Sequence, residues 1–255
     1  MDIKTNSEEE IFCLKFELDY IAEHLIHGNA ERWLHKFMSP FGEILHVNRY
    51  EFGKKYIKDK IVLDVAGGCG YGTFLLANEG DPKEVHSVDL SESSVRYANY
   101  RYPHPKINRI TSNAESYTNK DYFDVIISYE TIEHLKGFNA FLEKVHNSLK
   151  PGGLFIVSTP VTNKTTTNNL NPYHVIEWSF HDFQKLIENK FKIEECYIQN
   201  ITLKHQVVKS FYSRVLYKLF PDRYKTFNPN LIKFQNQIDP NNIVSGFQIL
   251  VCSKK

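Results

Sequence analysis

The chain has little of what would commit a protein to a special environment. Its 255 residues include only four cysteines, Cys13, Cys69, Cys196 and Cys252. None stands in a CxxC pair or beside a histidine at metal-ligand spacing. That argues against a disulfide framework and a cysteine metal site, and fits reduced thiols in a cytoplasmic protein. Charge of one sign is also missing, since 31 Lys and Arg face 30 Asp and Glu. A formal net charge of +1 gives no overall field toward nucleic acid or a membrane surface. No run approaches the roughly 18 apolar residues of a membrane span. The opening MDIKTNSEEE has neither the basic start nor the apolar stretch of a secretory signal. Internal repeats and low-complexity linkers are absent too. These gaps predict a cytoplasmic chain with no nucleic-acid partner and no stable membrane insertion.

What is present is an alternation. Hydrophobic residues make up 42% of the chain, enough for one α/β domain with a sizeable core. Residues 8–26 carry apolar residues at helical spacing, and 44–58 read as a second helix bearing His46, Arg49, Tyr50 and Phe52. Short apolar runs at 61–66, 85–89, 106–111, 123–129 and 154–158 then alternate with helical stretches at 73–78, 91–100 and 137–149. Ser91 can cap its helix, with Glu92 in the first turn. Residues 150–153, Lys-Pro-Gly-Gly, read as a turn. Strands that are apolar throughout, rather than at alternate positions, fit a parallel sheet covered on both faces. Beyond Pro160 the rhythm changes to a helix over 180–189, a strand over 192–201 and a final strand over 242–252. The last two strands can form an antiparallel hairpin with 203–240 inserted between them.

The strongest chemical signal is VLDVAGGCGYG, residues 62–72. A buried strand ends at Asp64-Val65, and Gly67, Gly68, Gly70 and Gly72 lead into a helix. Glycines let backbone N–H groups approach a ligand and permit positive φ, and the turn lies at the carboxyl end of a strand, where open α/β sheets bind ligands. The evenly spaced Gly68, Gly70 and Gly72 fit the GxGxxG dinucleotide fingerprint poorly, and the GK[ST] of a phosphate loop is absent. Asp89 ends the second strand, 19 residues after Gly70. Its carboxylate can accept from both hydroxyls of a ribose, or it can simply cap the helix at Ser91. Three further elements follow: Asn113-Ala114-Glu115, YETIEHL over 129–135, and LKPGGLFIVSTP over 149–160.

In order and spacing, these elements over residues 60–160 resemble the class I S-adenosylmethionine (SAM)-dependent methyltransferases, in particular the small-molecule branch with an E-x-x-E-H segment. One position departs: the first glycine of the family's D-x-G-x-G-x-G is Ala66 here. The resemblance implies a Rossmann-like, doubly wound seven-stranded sheet of order 3-2-1-4-5-7-6 with the last strand antiparallel. It implies one domain over 1–255, with a helical cap over 1–58, a SAM-binding core over 60–202 and 241–255, and a helical lid over 203–240. By the same resemblance Asp64 and the backbone at Ala66, Gly68 and Gly70 would hold the methionine moiety. Asp89 would take the ribose, with Leu90 beside the adenine and Asn113 and Ala114 bordering its ring. Tyr129 and Glu130 would lie beneath the sulfonium. SAM is the expected cofactor, S-adenosylhomocysteine (SAH) its product, and no metal is expected. Positioning and exclusion of water would supply most of the catalysis.

A looser resemblance reaches outside the core. Glu31-Arg32-Trp33, His46 with Arg49-Tyr50, and Asn171-Pro172-Tyr173-His174-Val175-Ile176-Glu177-Trp178 are similar to segments of a bacterial subset in surface-glycan and secondary-metabolite pathways. His134, with Glu133 beside it, could take the acceptor's proton as the methyl arrives; His174 is a second candidate base. Tyr173 and Arg49 are candidate acceptor contacts. His46 and Arg49 either close over the methionine carboxylate or only decorate their helix. Over 203–240, Lys204, Lys209, Arg214, Lys218, Arg223, Lys225 and Lys233 face two acids, Asp222 and Asp239. There Val207, Phe211, Val215 and Leu219 form one helical stripe. This is an amphipathic lid, or a cover recognising a phosphorylated or nucleotide-linked acceptor. The expected reaction is methyl transfer to an oxygen of a small acceptor, a sugar or phosphorylated precursor of bacterial surface polysaccharide. The alternatives are an N- or C-methyltransferase of secondary metabolism, a non-catalytic SAM-binding partner and a nicotinamide oxidoreductase. Oligomeric state has no signal in the sequence.

Overall fold

A computed structural model describes residues 3–27, 34–37, 39–169, 171–203, 228–234 and 238–255. Two helices lead, α1 (Ile3–His27) and α2 (Pro40–Gly53). The alternating core follows as β1 (Ile61–Val65), α3 (Tyr71–Glu79), β2 (Glu84–Asp89), α4 (Glu92–Arg101), β3 (Ile107–Thr111), β4 (Phe123–Tyr129), α5 (Phe138–Ser148) and β5 (Leu149–Thr162). The chain closes with β6 (Trp178–Ser179), α6 (Phe180–Glu188), β7 (Phe191–Leu203), β8 (Ile232–Lys233) and β9 (Ile243–Lys254). Local chemistry sets several boundaries. Ser39 and Ser91 accept from Gly42 N and Ser94 N and so cap α2 and α4, and Pro40 occupies the first turn of α2.

The strands form one sheet of order β3-β2-β1-β4-β5-β9-β7-β8, with β6 paired to β5. Neighbours from β3 to β5 are parallel, while β9 runs antiparallel to both β5 and β7. The seven long strands follow the expected 3-2-1-4-5-7-6 order, and β6 and β8 are short additions. Residues 150–153 differ from the reading above: they lie within β5 rather than in a turn. Its pairing with β4 shifts between Phe123–Leu149 and Val125–Leu154, so the Pro-Gly-Gly stretch is absorbed as a bulge, with Gly152 at φ 74°. The lid expected over 203–240 is described only in part. Its one described element is β8, which pairs with Tyr197 and Ile198. The Val207, Phe211, Val215 and Leu219 stripe and Glu31-Arg32-Trp33 lie outside the described residues.

Successive strand residues point to opposite faces, and each face is covered. Leu63, Ile126, Phe155 and Leu250 pack with Phe141, Val145, Phe183 and Ile187 of α5 and α6. On the other face Val62, Val125, Ile127, Ile156 and Val251 meet Tyr50, Phe52, Leu75 and Leu76 of α2 and α3. The expected two-sided burial of Val125, Ile126 and Ile127 is observed, each at most 1% exposed. At α3, Gly72 lets the Tyr50 ring pack directly on the helix, since a Cβ there would sit 2.0 Å from a ring carbon. No described helix is long and apolar enough to cross a membrane. Strand order reverses between β1 and β4, so the loops after the parallel strands open a crevice at their carboxyl ends, the ligand position of such sheets.

Candidate functional site

Those loops line a cleft of about 960 Å³. One side is built around the turn after β1. Ala66, Gly68 and Gly70 all take positive φ, 58°, 55° and 85°. A Cβ on Gly68 would meet only Ala66 O, at 4.0 Å, so its backbone faces open space; a Cβ on Gly70 would lie 2.4 Å from Ala98 Cβ. Gly68 therefore leaves room for a ligand, whereas Gly70 lets the turn pack on α4.

Beneath this turn Asp64 is fully buried and does not line the cleft. It accepts from Thr73 Oγ1 at 2.5 Å and Tyr50 OH at 3.5 Å. Burial pushes its pKa up to about 7. Its place is that of a pin for the turn and the start of α3. Asp89 does face the cleft. Its Oδ2 accepts from Gly68 N and its Oδ1 from Ser91 N, both at 2.9 Å. Each carboxylate oxygen keeps a further lone pair, so holding the loop and receiving a ligand hydroxyl are compatible. Leu90 beside it is 72% exposed, an apolar platform on the cleft lip. Asn113 and Ala114 line the same wall, and Asn113 Oδ1 holds its loop by accepting from Glu115 N at 2.8 Å. Tyr129 lines the cleft too; its hydroxyl is buried and makes no hydrogen bond to the described residues. An open glycine backbone, a carboxylate, an exposed leucine and an unpartnered phenol fit an adenosyl group.

The opposite side starts at Glu130, in the left-handed region at φ 51°. Ser158 Oγ donates to its Oε1 at 2.6 Å. Such backbone strain concentrates at functional sites. Glu133 and His134 follow on a short 3₁₀ turn, Ile132–His134. Glu133 is fully buried; its Oε2 accepts from Thr159 Oγ1 at 3.1 Å, and its Oε1 makes no hydrogen bond to the described residues. Burial, and then the nearby Glu130, raise its pKa well above the ordinary carboxylate range. His134 Nδ1 donates to Tyr173 O at 3.0 Å, and the His134 and His174 rings lie edge to face at 4.8 Å. His174 Nδ1 donates to Glu177 Oε1 at 2.6 Å. The two candidate bases thus share one corner of the cleft, though 40 residues separate them.

Arg49 and Tyr173 are placed elsewhere than the sequence reading put them. Neither lines the cleft. Arg49 is 1% exposed; its Nε donates to Gln199 Oε1 at 2.9 Å and its NH1 lies 3.8 Å from Glu130 Oε1. Its guanidinium stacks 4.4 Å over Phe247. It braces the wall from behind. Tyr173 contributes its carbonyl, which orients His134. His46 does line the cleft, where burial and then Arg49 hold its pKa well below the usual histidine range. Residues that the sequence reading assigned no role include Thr159, Glu177, Gln199 and Phe247. Glu177 was visible within the 171–178 segment, but nothing in the sequence tied it to His174.

Comparison with known proteins places these features in context. A family model described as a methyltransferase domain matches residues 57–212. A Mycolicibacterium smegmatis protein named "probable S-adenosylmethionine-dependent methyltransferase" is 33% identical over 140 residues, 52% of this chain and 52% of that protein. The chain thus spans about half the length of that relative. The ubiquinone biosynthesis O-methyltransferase of Rickettsia typhi is 28% identical over 68% of this chain and 78% of its own. Among solved structures, a SAM-dependent methyltransferase from Mesorhizobium loti superposes with a TM-score of 0.54 at 11% identity, covering 84% of this chain and all of its own. The phosphoethanolamine N-methyltransferase 2 of Haemonchus contortus, in complex with SAM, gives 0.54 at 14%, covering 86% and 58%. These two show a shared fold.

Proposed function

The chain belongs to the SAM-dependent methyltransferase family, and from that premise we propose that it moves a methyl group from SAM to a hydroxyl oxygen of a small polar acceptor. When bound, SAM supplies an electrophilic methyl on a cationic sulfur. Asp89 and the open backbone at Gly68 would hold the ribose and methionine parts, Leu90 would cover the adenine, and Glu130 and Tyr129 would face the cationic end. Glu133, His134 and His174 stand where the acceptor's proton must leave.

The observation that carries the acceptor class is the set of polar side chains in the cleft lining, Thr162, Asn171, Glu177, Asn200, Thr202 and Ser245, which stand among Pro160, Val161 and Phe247. A polyol such as a sugar satisfies these groups, whereas an apolar aromatic acceptor would bury them unpaired. The O-methyltransferase name of the Rickettsia relative supports oxygen as the acceptor atom. Among the described residues no Lys or Arg lines the cleft; Lys233, of the basic segment, pairs with Glu195. A neutral sugar of a bacterial surface polysaccharide precursor is therefore our first choice. A phosphorylated or nucleotide-linked form would depend on the basic residues between 204 and 225. We place the reaction in the cytoplasm on the strength of the four free cysteines. A non-catalytic SAM-binding partner would have no use for a buried acid and two histidines beside the cofactor crevice.

The test is a panel of sugars, sugar phosphates and nucleotide sugars with labelled SAM, the methylated atom being located by NMR. A methyl ether is expected, with at least about a hundredfold slower turnover in His134→Ala. A methyl group on nitrogen or carbon would overturn the reading, and so would normal turnover in both His134→Ala and His174→Ala.

A further inference from the structure

The corner at Glu133, His134 and His174 holds more than a proton acceptor needs. One ligand-type atom from each of the three side chains lies within 4.8 Å of the others. Tetrahedral ligands of one ion at about 2.1 Å stand about 3.4 Å apart, so the widest of these gaps must contract by up to about 1.4 Å to close the set. Both imidazoles are oriented for it. His134 donates its Nδ1–H to a backbone carbonyl and His174 donates its own to the Glu177 carboxylate. Each ring thus has its Nδ1–H anchored on an oxygen, the arrangement that orients metal-binding histidines. His174 Nε2 at present accepts from Asn171 Nδ2 at 2.9 Å, a contact an ion would displace.

The third ligand carries an independent sign. Glu133 Oε1 is buried, makes no hydrogen bond to the described residues and lies 4.0 Å from His134 Nε2. Its other oxygen is fixed by Thr159. A buried oxygen without a donor is costly, and a cation at this point would satisfy it.

We propose that Glu133, His134 and His174 bind one divalent transition-metal ion, whose open positions face the acceptor side of the cleft. Two imidazoles with one carboxylate suit zinc, iron, cobalt or manganese rather than magnesium or calcium. Three protein ligands leave room for acceptor oxygens, as in catalytic rather than structural sites. The proposal rests on the methyl-transfer reading for its purpose. The ion lowers the pKa of a bound acceptor hydroxyl, whose proton leaves to solvent. The O–CH₃ bond then forms as the S–CH₃ bond breaks, and the bonding pair stays on sulfur. The ion keeps its oxidation state. On this account the two histidines are ligands, and the sequence expectation of a metal-free site is replaced.

The test is titration of chelator-treated full-length protein with Co²⁺, followed by its visible absorption, alongside SAH binding by calorimetry. One Co²⁺ per chain is expected, with a spectrum of nitrogen and oxygen coordination. Glu133→Gln, His134→Ala and His174→Ala should each weaken Co²⁺ binding at least about tenfold with SAH affinity retained, which also reports that the variants are folded. Absence of stoichiometric Co²⁺ binding in the unsubstituted protein overturns the proposal without recourse to any variant. Equal binding by the variants marks an adventitious ion and overturns it too. A methyl ether formed by metal-free protein sinks the ion and spares the methyl-transfer reading. Bound Co²⁺ with methyl found on nitrogen keeps the ion and sinks the choice of oxygen.

Discussion

The cofactor side of the cleft is made largely of backbone, and the acceptor side is made of side chains carried in from distant segments. On the first side, Gly68 and Gly70 set a turn within five residues of β1, and Asp89 reaches it by one hydrogen bond to Gly68 N. On the second, Arg49 from α2 meets Gln199 from β7, and Glu133 after β4 meets His174 from the loop before β6. A backbone cradle needs a short motif and two strand ends. A side-chain cradle needs partners whose positions only the folded sheet sets. The cofactor side should then respond to substitution locally and in ligand affinity, the acceptor side through the stability of the wall.

The largest effect is expected at Arg49. Arg49→Met leaves Gln199 Oε1 without its donor and Glu130 without its nearby cation. It should cost about 3 kcal/mol, or roughly 6–12 °C in Tm, with SAH affinity below the transition nearly unchanged. A parallel collapse of SAH affinity would show that the two sides are one unit.

Next is Asp64, beneath the cofactor turn. Its carboxyl stays protonated in the fold up to about pH 7 but ionises near pH 4 in the unfolded chain. Between these values the folded state holds an extra proton, so this group's contribution to stability falls as pH rises, by at most about 1.4 kcal/mol per pH unit. The stability difference between the unsubstituted protein and Asp64→Asn, followed by denaturant titration from pH 4 to 8, should carry this slope and flatten above pH 7. A difference that does not change with pH would refute a buried neutral carboxyl.

Asp89→Ala should weaken SAM binding by about 1.5–3 kcal/mol, the range for a hydrogen bond to a charged group, measured by calorimetry. An affinity unchanged within twofold would leave Asp89 with only its loop-holding role. The smallest effect is at Ala66, whose φ of 58° strains a side chain that glycine lacks. Ala66→Gly should stabilise by up to about 1 kcal/mol; a loss of stability would mean that the methyl group packs better than the strain costs.

Legibility in the sequence followed the same division. The β1 turn, Asp89 at the end of β2 and the capped start of α4 each lay within a short window, because strand burial, glycine conformation and capping act over a few residues. Reading roles from those windows was less secure. Asp64 sits in the motif yet points under the turn, since only packing against Thr73 and Tyr50 decides which way a strand-end carboxylate faces. Arg49 and Tyr173 stood in suggestive segments, but one became a buried brace and the other lends its carbonyl to His134. The KPGG stretch read as a turn because its composition is that of one; pairing with β4 on one side and β9 on the other draws its flanks into β5.

By itself, then, the sequence determined the parallel core, the strand order that goes with the family resemblance, and the glycine turn with its carboxylate partner. These depend on periodicities and local conformations that neighbours in the chain impose on one another. The tertiary structure alone decided that Glu133, His134 and His174 meet, that Glu177 and Tyr173 orient the two rings, and that Arg49 lies behind the wall. Glu177 lies only three positions from His174, but the contacts between segments join residues from 39 to 150 positions apart, and only the folded sheet, by setting where each strand ends, brings them within reach of one another.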